Sequence, residues 1–193
     1  MSLAPGAWCV YLVARQSIWN FPIGLVNNIF FGVLFWQSRL YGDMSLQLVY
    51  FVLGVFGWAL WMGGKRGEAA LAVTRISRGE VWGCAVFLLA ATPLMMRFLH
   101  LAGGAVPLWD ALTTALSLCA QYLLSRKRLE NWFLWIVADL IYVPLYFHRG
   151  LALTGVLYAV FLGICLIGLR DWKRSFGVAK PLASAPNSAH ETI

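Results

Sequence analysis

The sequence predicts an all-α integral membrane protein of seven transmembrane helices, built as two parallel three-helix repeats joined by a connector helix, a 3+1+3 plan. Three observations predict it. Of 193 residues, 61% are hydrophobic and 12% charged, with a mean hydropathy of +0.72, where a soluble domain carries about 25% charge. Apolar runs separated by charges, glycines or prolines account for nearly the whole chain. Finally, a shift of 111 positions lays the chain on itself without a gap, pairing Tyr11 with Tyr122, Arg15 with Arg126, Asn20 with Asn131, Leu40 with Leu151, Gly57 with Gly168 and Trp61 with Trp172.

A helix needs about 20 mostly apolar residues to cross the ~30 Å hydrocarbon core. The runs are Met1 to Ala14, Trp19 to Gln37, Met44 to Met62, Val81 to His100, Pro107 to Ser125, Asn131 to Phe147 and Leu151 to Leu169. They leave no room for a soluble domain. Residues 1–172 form a single transmembrane domain, with repeat one at about 1–62, the connector at about 81–100 and repeat two at about 107–172. Residues 173–193, with two prolines among serines and alanines, read as a disordered cytosolic tail.

The first run is no cleavable signal peptide, because it lacks a basic leader and its only charge, Arg15, follows the apolar part. By the 111-residue offset this helix would begin a few residues before Met1, so either the chain starts late or the helix is clipped at its outer end. The offset maps spans one to three onto spans five to seven and leaves span four unpaired. Three helices end on the side opposite their start, so a fourth must return the chain before a second copy can begin in the same orientation. Pro22 and Pro144 fall within spans two and six, where a proline frees a carbonyl and lets a helix bend.

Orientation follows from the fifteen Lys and Arg residues. With seven spans, twelve collect on one side: Arg15, the loops holding Lys65 to Arg78 and Arg126 to Arg128, and the stretch from Arg170 to Lys180. Arg39, Arg97 and Arg149 alone fall on the other. This places the N-terminus outside and the C-terminus in the cytosol. The net charge of +7 then needs no nucleic-acid partner, being the cytosolic rim facing anionic lipid. Cys9, Cys84, Cys119 and Cys165 lie in four different runs without CxxC spacing and read as small buried residues.

Within the sixth run, ENWFLWIVADLIYVPLYF, helical periodicity puts Asn131, Trp132, Trp135, Asp139, Tyr142 and Tyr146 in one arc of about 100°. In its repeat partner, Asn20, Gly24, Asn27, Asn28 and Phe31 share a similar arc, and Asn28 is the offset mate of Asp139. Asp139 lies about 12 Å into its helix, near the bilayer middle. A carboxylate there costs several kcal/mol unless it is paired or lines an aqueous path, so it marks a functional site. The alternative is a structural pair with Asn28 or a tyrosine hydroxyl. Trp132 either belongs to an interfacial belt or faces the pathway, while Trp135, a turn deeper, favours ligand stacking or pore lining. Asn20, Asn27, Asn28 and Gln121 serve either as interhelical glue or as pathway groups. Of the remaining tryptophans, Trp8, Trp19, Trp36, Trp61, Trp82, Trp109 and Trp172 mostly sit near span ends as belt anchors, with the Trp58 and Trp61 doublet left open.

Catalytic signatures are missing. GGKRG, from Gly63 to Gly67, lacks the upstream glycine and the Ser/Thr after lysine of an ATP-binding loop. His100, His148 and His190 lack metal-ligand spacing, and neither HExxH nor GxSxG occurs. The chain is expected to be no enzyme and to need no cofactor. Two functional classes remain: a small-molecule transporter, or a membrane scaffold or receptor in which the polar face is only a packing device.

The element Asn131, Trp132 and Trp135 resembles the PnuC family of nicotinamide riboside transporters, as do IWNFPIGLVNNIFFGVLF (Ile18 to Phe35), LYGD (Leu40 to Asp43) and GWALW (Gly57 to Trp61). The similarity covers Val10 to about Ser175. It implies a full-length SWEET-like 3+1+3 fold in a bacterial inner membrane and facilitated uptake of nicotinamide riboside by alternating access. Cytosolic phosphorylation by a riboside kinase would trap the product. By that resemblance Asn131, Trp132 and Trp135 hold substrate. Asp139, Tyr142, Gln121, Asn20, Asn27, Asn28 and Trp58 complete the expected site. The chemistry agrees: tryptophan faces suit a flat pyridinium cation at about 0.5 to 2 kcal/mol each, amides pair with the carboxamide or ribose, and Asp139 supplies counter-charge. Thiamine, also an aromatic cation, is the main rival, followed by riboflavin. A mononucleotide fits less well, because no basic residue lies deep in the spans to meet its phosphate. The residues do not fix the oligomeric state; a homo-oligomer, a trimer, is the expectation.

Overall fold

The computed structural model describes residues 4–37, 41–63, 71–101 and 107–178. They form seven helices: α1 (Ala4–Ala14), α2 (Asn20–Gln37), α3 (Tyr41–Gly63), α4 (Arg78–Leu101), α5 (Pro107–Ser125), α6 (Asn131–His148) and α7 (Ala152–Val178). Segments of α3, α4 and α7 are long and apolar enough to cross a bilayer: Asp43–Gly63, Arg78–Leu101 and Ala152–Phe176, with mean hydropathies of 1.6, 1.7 and 2.3. The helices α2, α5 and α6 are shorter and hold the amides, hydroxyls and carboxylate picked out above. Two boundaries differ from expectation. Pro22 falls in the first turn of α2, where its missing N–H costs no hydrogen bond, so it bends nothing. The helix α7 continues through residues 173–178, because Phe176 packs against the buried cluster around Trp172 and Ser175 bonds Gln16; residues 179–193 lie outside the described residues.

Within each half the second helix packs on the third, α2 on α3 and α6 on α7. Across the halves α3 packs on α5, and α1 on α7. The remaining helix, α4, lies against α5. Local geometry recurs at the 111-residue offset. Gln16 and Lys127 both take left-handed φ values, 53° and 50°. Around each, one N–H reaches back three residues (Gln16 to Val13, Lys127 to Leu124) and the next reaches back five (Ser17 to Leu12, Arg128 to Leu123), all four bonds at 2.9 Å. This pattern closes a helix C-terminus by satisfying its last carbonyls. The next helix opens alike in both halves: Asn20 and Asn131 each donate from Nδ2 to the carbonyl three residues back, at 2.6 Å.

Glycine permits the closest approach at a second offset pair. A Cβ on Gly57 would lie 2.7 Å from the ring of Phe21 and from the Ser125 hydroxyl, and one on Gly168 would overlap the ring of Trp132. Phe21 and Trp132 are themselves offset mates.

At this end of the bundle the tryptophans are structural. Trp61 donates from Nε1 to the Ser125 carbonyl and Trp172 from Nε1 to the Val13 carbonyl, both at 3.2 Å. Both rings are buried, which corrects the placement of Trp172 in an interfacial belt and gives Trp61, left open above, a structural place: a belt indole needs water or headgroup for its N–H, and these two bond the last turn of α5 and of α1. Trp8, Trp19, Trp36, Trp82 and Trp109 are exposed, as a belt requires. A strap of residues 71–77 crosses the same end. Thr74 forms a parallel bridge with Arg128, and Glu80 both caps α4 through Ser77 and pairs with Arg126 and Arg128 at 3.4 and 3.0 Å. None of the four cysteines forms a disulfide; Cys119 and Cys165 are buried, Cys9 and Cys84 half-buried.

Candidate functional site

A cavity of about 450 Å³ lies between the two halves, lined by α1, α2, α3, α5, α6 and α7. Its size is that of a site for one small molecule. Most lining positions come as offset mates, among them Gly6 with Ser117, Val10 with Gln121, Phe21 with Trp132, Gly24 with Trp135, Asn28 with Asp139 and Gly54 with Cys165. Each pair contributes from equivalent helices. The chemistry of the partners is unequal. At several matching points the second half supplies an amide, indoles and a carboxylate where the first supplies valine, glycine and phenylalanine, while Asn27, Asn28 and Tyr50 are the polar exceptions in the first half.

The floor is formed where helices end and begin, by Val13, Leu124, Phe21 and Trp132. An aromatic layer underlies it: Phe21 meets Trp61 edge-on at 5.0 Å, and Trp132 meets Trp172 edge-on at 5.5 Å. Further out, Lys127 Nζ lies 4.4 Å from the Trp61 ring centroid and donates to Gln16 Oε1 at 3.4 Å. Burial pushes the Lys127 ammonium below its ordinary pKa.

Of the residues expected at the site, Trp132, Trp135, Asp139, Tyr142, Gln121, Asn20, Asn27 and Asn28 all line this cavity. Asn131 and Trp58 do not. Asn131 shares the helical arc of Trp135 but sits at the first residue of α6, wholly buried, with its amide turned back to Arg128. Trp58 packs against the aromatic cluster beneath the floor. Asp139 is 4% exposed, and none of the ion pairs among the described residues involves it. Its hydrogen-bond donor is the Cys165 thiol, at 3.6 Å, rather than Asn28 or a tyrosine. Among the described residues no Lys or Arg lines the cavity.

Sequence reasoning missed Tyr50, Tyr158, Phe161 and Cys165, which stand in the apolar runs of α3 and α7. Three of them still obey the offset, Tyr50 being the mate of Phe161 and Cys165 that of Gly54, but no expected site residue was the mate of any of them.

The profile of the Nicotinamide mononucleotide transporter family matches residues 1–174. The chain belongs to this family. Its curated relatives include the nicotinamide riboside transporter PnuC of Escherichia coli (strain K12), 29% identical over 88% of this chain and 82% of the relative. They also include the riboflavin/roseoflavin transporter RibM of Streptomyces davaonensis, 30% identical over 82% of this chain and 76% of its own. A crystal structure of the vitamin B3 transporter PnuC matches with a TM-score of 0.68 at 26% identity, covering 91% of this chain and 80% of that one. The chain is therefore a member of the PnuC family, a membrane transporter and not an enzyme.

Proposed function

We propose that this chain takes up nicotinamide riboside through a bacterial cytoplasmic membrane by facilitated diffusion and alternating access. The observation that carries the reading is the cavity's lining: two indoles, four amides and a buried carboxylate, with no described basic side chain. That lining suits a flat cation bearing a carboxamide and a ribose. Trp135 and Trp132 stack the pyridinium, Asp139 supplies the counter-charge, and Gln121, Asn20, Asn27 and Asn28 meet amide and hydroxyls. The long similarity to the Escherichia coli riboside transporter supports the same cargo. A mononucleotide, despite the family's description, would bring its phosphate into a lining without a described cation.

Riboflavin is the second reading, favoured by the similarity to RibM and by the open space above Gly24, where an added Cβ would meet nothing within 4 Å. Against it stands Asp139, which gains nothing from a neutral tricycle.

The recurrence of loop bonds, glycine contacts and lining positions at one offset supports a parallel 3+1+3 architecture with α4 as connector. In that arrangement the basic end faces the cytosol. The aromatic layer and the Lys127–Gln16 contact beneath the floor then close the cytosolic exit, and transport requires the halves to part there.

The test is uptake of labelled nicotinamide riboside by cells that lack their own transporter but hold a riboside kinase. Wild-type chain should restore uptake, and Trp135→Ala or Asp139→Asn should remove most of it. Normal uptake by both variants would return the polar face to a packing role, and uptake of riboflavin alone would change the cargo.

A further inference from the structure

At the end of the cavity away from the floor, three tyrosines stand together. Tyr142 and Tyr146 are one turn apart on α6 and so share a face. The ring of Tyr158 on α7 meets both: the centroids are 4.5 Å from Tyr142 and 5.2 Å from Tyr146, the latter pair within 9° of parallel. Tyr142 and Tyr146 are themselves 5.7 Å apart. The tight turn at Arg149 and Gly150, with φ 73° at Gly150, brings α7 back alongside α6 and sets this register. Tyr142 and Tyr158 line the cavity, whereas Tyr146 stands one turn outward, half-buried and off the lining.

Carboxylates flank the group at both ends. Asp139 lies one turn inward of Tyr142 and acts electrostatically on Tyr142 and Tyr158. Asp110, in the first turn of α5, acts on Tyr142 and Tyr146, and the Arg149 guanidinium acts on both Asp110 and Tyr146. A run of tyrosine faces between two carboxylates is a path along which a flat cation finds a favourable neighbour at each step, because each ring presents its negative face and each end a counter-charge. The rings already touch, so a ligand enters by replacing one tyrosine as stacking partner of another; Tyr146, the one ring of the three outside the cavity lining, is the outermost.

We propose that Tyr142, Tyr146 and Tyr158 form an outer subsite for a planar aromatic cation, occupied before the central cavity and handing the cation inward. This rests on the uptake reading above and adds a binding step to it. A subsite on the path changes how fast the cation reaches and leaves the cavity, while the affinity of the cavity itself stays with Trp135 and Asp139.

The experiment is stopped-flow tryptophan fluorescence of the detergent-purified chain mixed with nicotinamide riboside, comparing wild type, Tyr146→Leu and Tyr146→Phe, with the uncharged dihydro form of the same nucleoside as control. Tyr146→Leu should slow association roughly fivefold, the size of one cation–π contact, and slow dissociation alike, leaving the dissociation constant within about twofold. Tyr146→Phe, which keeps the ring, should associate as wild type does, and the dihydro form should distinguish the variants little. Unchanged association in Tyr146→Leu overturns the subsite, as does equal slowing in Tyr146→Phe or equal slowing with the uncharged form. A wild type that fails to bind nicotinamide riboside but binds thiamine overturns the cargo, and the same comparison made with thiamine then decides the subsite. A wild type that binds neither cation overturns both.

Discussion

Lys127 and Gln16 hold equivalent places in the two halves, share a left-handed backbone conformation, and touch each other, Nζ to Oε1, at 3.4 Å. A non-glycine residue in that conformation costs about 1 kcal/mol. Here the turn puts two long polar side chains over the interface between halves, where Gln16 also donates to Ser175 Oγ at 2.9 Å. Lys127 meanwhile covers the Trp61 ring.

That contact gives a pH signature. Burial lowers the Lys127 pKa from its ordinary 10.5. Between the lowered value and 10.5 the unfolded chain therefore holds more protons than the folded one, and stability rises with pH across that window. Thermal unfolding in detergent, followed upward from neutral pH, should show wild type gaining stability relative to Lys127→Met as pH approaches 10.5. Parallel curves for the two proteins would mean that the ammonium is not desolvated in the folded state.

The repeat and the polar arc of α6 were legible in the sequence because both depend on spacing along the chain, and helical periodicity turns spacing into a shared face. Depth was harder to read. Asn131 and Trp135 lie in one arc, yet only Trp135 reaches the cavity, since the first residue of a helix sits at the floor's level where its amide caps the preceding turn. Trp58 and Trp61 form a doublet in sequence but serve the layer beneath the floor. Tyr158 and Cys165 were hidden in α7, an apolar run whose inward face is chosen by its packing on α6. The pairing of Glu80 with Arg128 spans 48 positions and exists only because the strap folds back over the α5–α6 loop.

Gly24 separates size from stability. It lines the cavity with nothing near its missing Cβ, at the position matched by Trp135 in the other half. Alanine there should stabilise the helix by about 0.5 to 1 kcal/mol, read as a raised unfolding midpoint. Leucine should leave folding intact but fill the space a ligand ring needs, abolishing riboside binding by fluorescence titration. Undiminished binding to Gly24→Leu would place the ligand elsewhere.

Gly168 behaves oppositely. A methyl group at this position would overlap the Trp132 ring, which is wholly buried and backed edge-on by Trp172. The ring belongs to the cavity lining, so its displacement alters the cavity. Gly168→Ala should cost about 1 to 3 kcal/mol as an overpacked contact and weaken riboside binding as well. Adding Trp132→Phe should recover part of the stability. A Gly168→Ala protein as stable as wild type would show that α7 can shift away from α6.

Two ion pairs at the strap differ in burial and so in worth. Glu80 is nearly buried, accepts from the Ser77 backbone N–H at 2.8 Å, and meets Arg128 at 3.0 Å. Its removal takes away the carboxylate half of the α4 capping box, leaving the Ser77 hydroxyl on the residue-80 N–H, and leaves the Arg128 guanidinium short of an anion, although Thr74 and the Arg75 carbonyl still hold it. Glu80→Ala should therefore cost about 2 kcal/mol or more. Arg75 pairs with Glu130 at 3.3 Å, but its side chain is 61% exposed, so water and side-chain entropy offset most of the attraction. Arg75→Ala should change stability by no more than about 0.5 kcal/mol. Unfolding midpoints at low and high salt check both: the Glu80→Ala loss should persist in high salt, and any Arg75→Ala loss should vanish. Equal losses from the two variants would mean that the strap is held by its backbone bridge to Arg128 rather than by Glu80.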